Sequence, residues 1–174
     1  EEKILQIARK AKEIGIELFV LDDGWFGKRN WDNCSLGDWY PNLEKLRDGI
    51  AGLSKKIEEM GMKFGLWFEP EMVNKDSDLF REHPDWLLAD IRRNYCHSRN
   101  QYILDFSKKE VVDHIHRKMQ KILSESSISY VKWDMNRSFS EVFSNGNGKS
   151  YQGKVRHKYI LGVYDSVSYT HLRA

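Results

Sequence analysis

The sequence predicts an α/β fold built on a parallel sheet, on three observations. Amphipathic helical stretches alternate with short apolar runs of strand length. Each apolar run stops abruptly at carboxylates, as strands that feed one catalytic face do. Glycines stand where two of the helices must end, at Gly15 and Gly61. A repeated strand, helix, strand order calls for crossover connections within one parallel sheet.

Residues 3–14 place Ile4, Ile7, Ala8, Ala11 and Ile14 on one helical face. The continuous apolar run Leu18 to Leu21 is a buried strand, and it delivers Asp22, Asp23, Gly24 and Trp25 at its end. Residues 27–46, rich in Gly, Asn, Asp and aromatics, exceed what a tight connection needs and are expected to rim a site. Helical spacing resumes through Ile50, Leu53, Ile57 and Met60. The next strand, Lys63 to Phe68, ends in Glu69-Pro70-Glu71.

A short helical turn over 76–82 precedes Pro84, and Tyr102 to Asp105 forms another short strand after Arg99. Ser107 with Glu110 makes a capping box for a helix whose stripe is Val111, Val112, Ile115, Met119 and Ile122. Ile128 to Trp133, β-branched and aromatic, is the last strand. After a Gly/Asn/Ser loop at 144–153, Val155 to Tyr164 is helical. Residues 166–174 carry no amphipathic register that continues this helix, and they are expected to be a non-native tail.

Three to four strands in 174 residues amount to the first half of an eight-stranded (β/α)8 TIM barrel, which in full takes about 250 residues. The expected organisation is therefore an incomplete barrel over 1–165 plus the tail. A content of 40% hydrophobic and 13% aromatic residues suffices for a packed core. With 28 basic and 26 acidic residues, the net charge of +2 gives no electrostatic basis for binding nucleic acid or an anionic membrane. No apolar run approaches the ~20 residues that span a bilayer. Cys34 and Cys96 show neither metal-ligand spacing nor a disulfide framework, which suits a reducing compartment. The chain begins Glu-Glu-Lys without methionine or signal peptide and is expected to start inside a longer protein.

The strongest chemical signal is the octapeptide Tyr130 to Arg137. A strand's period of two puts Lys132, Asp134 and Asn136 on one face. A carboxylate between an ammonium and an amide is a poised nucleophile or a ligand clamp; its plainer role is an ion pair closing the strand. Asp22, Asp23, Glu69 and Glu71 join this group at strand ends, beside Trp25, Trp67 and Trp133. Indole faces next to carboxylates suit a sugar, whose C–H face stacks while its hydroxyls donate. Taken singly, the motifs also fit a turn with a helix cap, a solvated corner or core tryptophans. As an oxygen-rich set they also fit Mg²⁺, although Lys132 would compete with a cation beside Asp134. A non-catalytic sugar-binding module is a further alternative.

In order along the chain, LFVLDDGWFG (18–27), SLGDW (35–39), FGLWFEPEMV (64–73), HPDW (83–86), RNQYILDFS (99–107) and YVKWDMN (130–136) resemble the α-galactosidases, or melibiases, of glycoside hydrolase family 36. The likeness covers roughly residues 1–165. It implies a (β/α)8 barrel and a retaining double displacement that removes terminal α-linked galactose from raffinose- or melibiose-type sugars without metal or cofactor. By matching positions, Asp134 is implied as nucleophile and Asp22 and Asp23 as the clamp on galactose hydroxyls. Lys132 and Asn136 are implied to hold further hydroxyls and to keep Asp134 ionised. Trp67 and Arg99 would line the pocket, with Trp25 close by, while Glu69 and Glu71 would contact ligand or orient Lys132 or Arg99. The family's acid/base aspartate falls beyond this chain, so the fragment alone is expected to be nearly inactive. Relatives of this kind are often cytoplasmic tetramers. Within the superfamily, α-N-acetylgalactosaminidases and galactosyl transferases are the nearest alternatives. Two departures are Ser98, where many relatives have Gly, and the sequence after Asp165, where relatives continue a leucine-rich helix.

Overall fold

The computed structural model describes residues 1–171. In chain order the elements are α1 (Glu2–Glu13), β1 (Leu18–Leu21), α2 (Gly49–Glu59), β2 (Lys63–Phe68), β3 (Met72–Asn74), α3 (Asp78–Glu82), a 3₁₀ turn (Pro84–Trp86), β4 (Gln101–Ile103), α4 (Lys109–Glu125), β5 (Tyr130–Trp133), α5 (Lys149–Gln152) and α6 (Val155–His171). The chain is thus an α/β fold. Its central sheet is three parallel strands in the order β1-β2-β5.

Within this sheet β2 has a bonded neighbour on both edges and is buried along most of its length; the flanking strands, expected to be buried, are half-exposed. The registers pair Leu21 with Leu66 and Trp67 with Lys132. Asp22, one residue past Leu21, therefore arrives level with Trp67 and Lys132. Residues distant in sequence are lined up by strand register alone.

Helix α2 lies over β2 and buries Ile50, Leu53 and Ile57, as the spacing predicts. The stripe of α4 is buried at all five expected positions, and this helix packs on α2 and α6. On α1 the buried stripe is narrower than expected: Leu5 and Ala8 are enclosed, whereas Ile7 and Ile14 stay exposed.

Three expectations are corrected. The segment after Arg99 is not a fourth parallel strand: β4 pairs antiparallel with β3 in a separate two-stranded sheet. The capping box does not form, because Ser107 gives its hydroxyl and its N–H to the buried carboxylate of Asp105, at 2.6 and 3.1 Å, and α4 has no side-chain cap. A cap is worth about 1 kcal/mol, against about 1.5–3 kcal/mol for each buried apolar side chain, so the stripe fixes α4 without it. The third concerns the extent of α6, expected to end at Tyr164, which runs to His171. Its buried side is Val155, Tyr159, Gly162 and Ser166, which keeps helical spacing but mixes polarity and so hides from a hydrophobic pattern. Of the expected tail, residues 172–174 lie outside the described residues.

Gly162 has a steric reason. A Cβ there would sit 2.0 Å from the carbonyl oxygen of Phe106, so only glycine lets α6 approach this closely. The long segment 27–46 is packed rather than loosely draped: Leu36, Trp39 and Leu46 are core residues, and Asp38 caps α3 by accepting from the N–H groups of Asp78 and Leu79, both at 3.0 Å. Among the described residues, no helix is long and apolar enough to cross a membrane.

Candidate active site

The C-terminal ends of β1, β2 and β5 form one polar face. At its centre stands Asp134, the residue after β5, whose N–H donates to the Phe68 carbonyl at 2.8 Å as an extension of the parallel ladder. Its Oδ2 accepts from Asn136 Nδ2 at 2.7 Å and from Trp67 Nε1 at 3.1 Å, while Oδ1 accepts only the Met135 N–H, at 3.0 Å. Burial pushes the Asp134 pKa up, but the donations from Asn136, Trp67 and Met135 and the charge of Lys132 outweigh it and hold the carboxyl below the ordinary range. One oxygen is tethered, and the other is the less encumbered.

Asn136 is fixed on every side. Its N–H donates to Glu69 Oε1 at 2.5 Å, and its Oδ1 accepts from Arg99 Nη1 at 2.7 Å. A guanidinium has only donors, so it dictates which end of the amide faces Asp134. Arg99 itself adopts a left-handed backbone, φ 54°, rare for a residue with a Cβ.

Lys132 donates to Asp22 Oδ2 at 2.8 Å, and that bond raises the Lys132 pKa. Both partners are well exposed, so the pair contributes little stability. Its interest is geometric, because it joins the ends of the two outer strands above Trp67. Asp23 turns away from Lys132 and pairs with Arg29, at 2.7 Å.

Glu69 and Glu71 are buried and committed elsewhere than expected. Glu69 holds the Asn136 backbone and Gln101 Nε2 (3.0 Å), and burial raises its pKa. Glu71 accepts from Trp133 Nε1 at 2.9 Å and from the Tyr159 hydroxyl. Neither bonds Lys132 or Arg99; they brace the residues next to Asp134. Trp25 is also relocated. Only 2% exposed, it packs among Phe26, Trp39 and Phe68 and spends its indole N–H on the Trp67 carbonyl at 2.9 Å, so it supports the wall instead of meeting a ligand.

The structure thus brings Asp22, Trp67, Arg99, Lys132, Asp134 and Asn136 to one face, with Asp23 at its margin. Sequence reasoning missed Arg29, Asn74, Gln101 and Tyr159, whose partners are distant in the chain. Among the described residues, no group of three or more His, Cys, Asp or Glu is arranged to hold a metal ion. A cavity of about 610 Å³ lies apart from this face, against Phe80, Pro84 and Tyr102.

An α/β sheet whose strand ends hold carboxylates, an ammonium and an indole N–H around one open face has the composition of a polyol-recognising enzyme site. The Melibiase family model matches residues 1–173. The chain belongs to the melibiase family. It is 49% identical over 165 residues to the α-galactosidase Mel36A of Lactobacillus acidophilus and 50% identical over 164 residues to the α-galactosidase AgaA of Geobacillus stearothermophilus. These alignments take in 95% and 94% of this chain but only 22% of either relative, so the chain spans under a quarter of their length. A solved structure of an AgaA variant in complex with raffinose superimposes with a TM-score of 0.95 at 47% identity, over 99% of this chain and 24% of that one. Another AgaA variant, in complex with stachyose, gives 0.94 at 46% identity, over the same shares.

Proposed function

We propose that the full-length protein is a retaining α-galactosidase that cleaves terminal α-linked galactose from raffinose-type sugars. In this reading β1, β2 and β5 are neighbouring staves of a (β/α)8 barrel, and the polar face is part of its mouth. The observation that carries it is Asp134, ionised, tethered through Oδ2 and less encumbered at Oδ1, beside the Lys132–Asp22 pair. The complexes of the AgaA variants with raffinose and stachyose support the substrate class.

Asp134 Oδ1 attacks the anomeric carbon as the glycosidic oxygen leaves with a proton, giving a galactosyl ester; water then cleaves the ester and restores the carboxylate. Asp22, Asp23, Lys132, Arg99 and Asn136 take up sugar hydroxyls, and Trp67, only 3% exposed, tethers the nucleophile from the wall of the pocket. Glu69 is no proton donor, since it is 1% exposed and both oxygens are committed. The donor comes from the remainder of the full-length protein. A cytoplasmic homotetramer belongs to the same reading.

Raffinose hydrolysis followed by proton NMR tests the proposal. Galactose is expected to appear first as the α anomer and then mutarotate. The β anomer appearing first would refute retention, and no release of galactose would refute the activity.

The pH profile gives a second test. Asn136 donates to the charged form of Asp134, so Asn136→Ala raises the Asp134 pKa. Because the nucleophile acts deprotonated, the acidic limb of kcat/KM is expected to move to higher pH in this variant. An unmoved limb would mean that another group sets it.

A further inference from the structure

Asp23 is held in place by a residue that the functional reading does not use. Arg29 grips both of its oxygens, Nε to Oδ1 at 2.9 Å and Nη2 to Oδ2 at 2.7 Å. The side chain of Arg29 is 5% exposed, that of Asp23 39%. The remaining terminal nitrogen, Nη1, donates to the Cys34 carbonyl and to Asn74 Oδ1, each at 3.0 Å. A two-pronged guanidinium–carboxylate pair fixes the angle of the carboxylate as well as its distance, which a lysine cannot do. A carboxylate has about four acceptor sites, so the two strong bonds to Arg29 leave room for two hydroxyl donors.

Asn74, fully buried at the end of β3, carries the restraint onward. Its Oδ1 also accepts the Leu36 N–H at 2.8 Å, and its Nδ2 donates to the Asp32 carbonyl at 3.2 Å and the Asn100 carbonyl at 2.7 Å. Asn100 follows Arg99, and both have left-handed backbones, φ 58° and 54°. Two successive strained residues need outside support to keep that shape. Arg99 then reaches Asn136, and Asn136 reaches Asp134. A single bonded path therefore runs from the end of β1, beneath the polar face, to the end of β5.

Resting on the α-galactosidase reading, we propose that Arg29 and Asn74 are positioning residues. They hold the Asp23 carboxylate and the Arg99 turn in a fixed relation to one another, so that both meet the same galactose unit. A buried charge is costly unless it is paired and hydrogen-bonded, and Arg29 has a partner for each of its three nitrogens only while it holds the half-exposed Asp23 carboxylate.

The test is kinetic and uses the full-length enzyme. Arg29→Lys keeps the charge and loses the fork. It is expected to raise KM for an aryl α-galactoside, and Ki for galactose, about tenfold or more while changing kcat less than about threefold. In an Asp23→Ala background the same substitution is expected to add almost nothing, since Arg29 acts through Asp23. Asn74→Asp keeps the acceptor for Arg29 and Leu36 but loses both donated bonds. It is expected to raise Ki, with the effect vanishing in an Arg99→Ala background. If Arg29→Lys does not fold, the Asn74 cycle decides.

A lowered Tm with unchanged Ki and KM in both variants would overturn the proposal, as would equal effects with and without Asp23 and Arg99. A wild type that hydrolyses α-galactosides while the variants match it overturns this inference alone. A wild type that neither hydrolyses them nor binds galactose overturns the functional reading and this inference with it.

Discussion

In the full-length protein, Asp134→Asn is expected to lower kcat for an aryl α-galactoside by about 10⁴-fold or more, in line with the loss of a covalent nucleophile elsewhere. The amide matches the carboxylate in size, and its oxygen can still accept from Asn136 Nδ2 and Trp67 Nε1, so two of the three bonds to the side chain survive and only that from the Met135 N–H is lost. It cannot form a glycosyl ester. Galactose is therefore expected to bind within about an order of magnitude of wild type, because the Lys132–Asp22 pair, Asp23 and Arg99 are untouched. Steady-state kinetics beside calorimetric titration with galactose would separate these effects. A variant keeping more than roughly a hundredth of wild-type kcat would remove Asp134 from the nucleophile's role.

Asp22→Ala is expected to act on binding and catalysis together without weakening the fold. A hydrogen bond to a charged acceptor is worth about 1.5–3 kcal/mol, so losing two sugar hydroxyl contacts costs about 3–6 kcal/mol, or roughly 10²–10⁴-fold in kcat/KM. The stability side is small. Asp22 is 60% exposed and Lys132 42%, and water can replace what each loses when the pair is broken. The signature is thus a large fall in kcat/KM at nearly constant Tm. A fall of less than about tenfold would show that Asp22 serves Lys132 and not the substrate.

The parts of the fold that were legible in the sequence share a physical origin. Leu18–Leu21, at the sheet's edge, and Lys63–Phe68, at its centre, declare themselves as apolar runs of strand length, each closed by carboxylates. The α4 stripe is visible for the same reason, at the helical period. Lys132, Asp134 and Asn136 lie within five residues of chain, where the pleat alone sets their common side.

What stayed hidden depends on distant partners. Met72–Asn74 is too short for any periodicity, and only its antiparallel pairing with Gln101–Ile103 makes it a strand. Trp25 stands next to two carboxylates in the sequence, yet the direction of its indole is decided by Phe26, Trp39 and Phe68. Arg29 looks like one more cation in a polar loop; its burial against Asn74 is invisible until β3 is placed. Tyr159 lies on a helix face of mixed polarity, 88 residues from Glu71, the carboxylate it bonds.

Through Tyr159, the glycine contact at the back of the molecule is connected to its front. α6 presses on the Phe106 carbonyl at Gly162, and one turn earlier Tyr159 reaches Glu71, which in turn holds the Trp133 indole beside Asp134. Helix position and strand-end geometry are thereby tied like two ends of one lever. The tolerance of this chain to random change is narrowed accordingly: a methyl group added at Gly162 would be registered at the front of the sheet, by a residue that touches no substrate and that a survey of binding contacts would pass over.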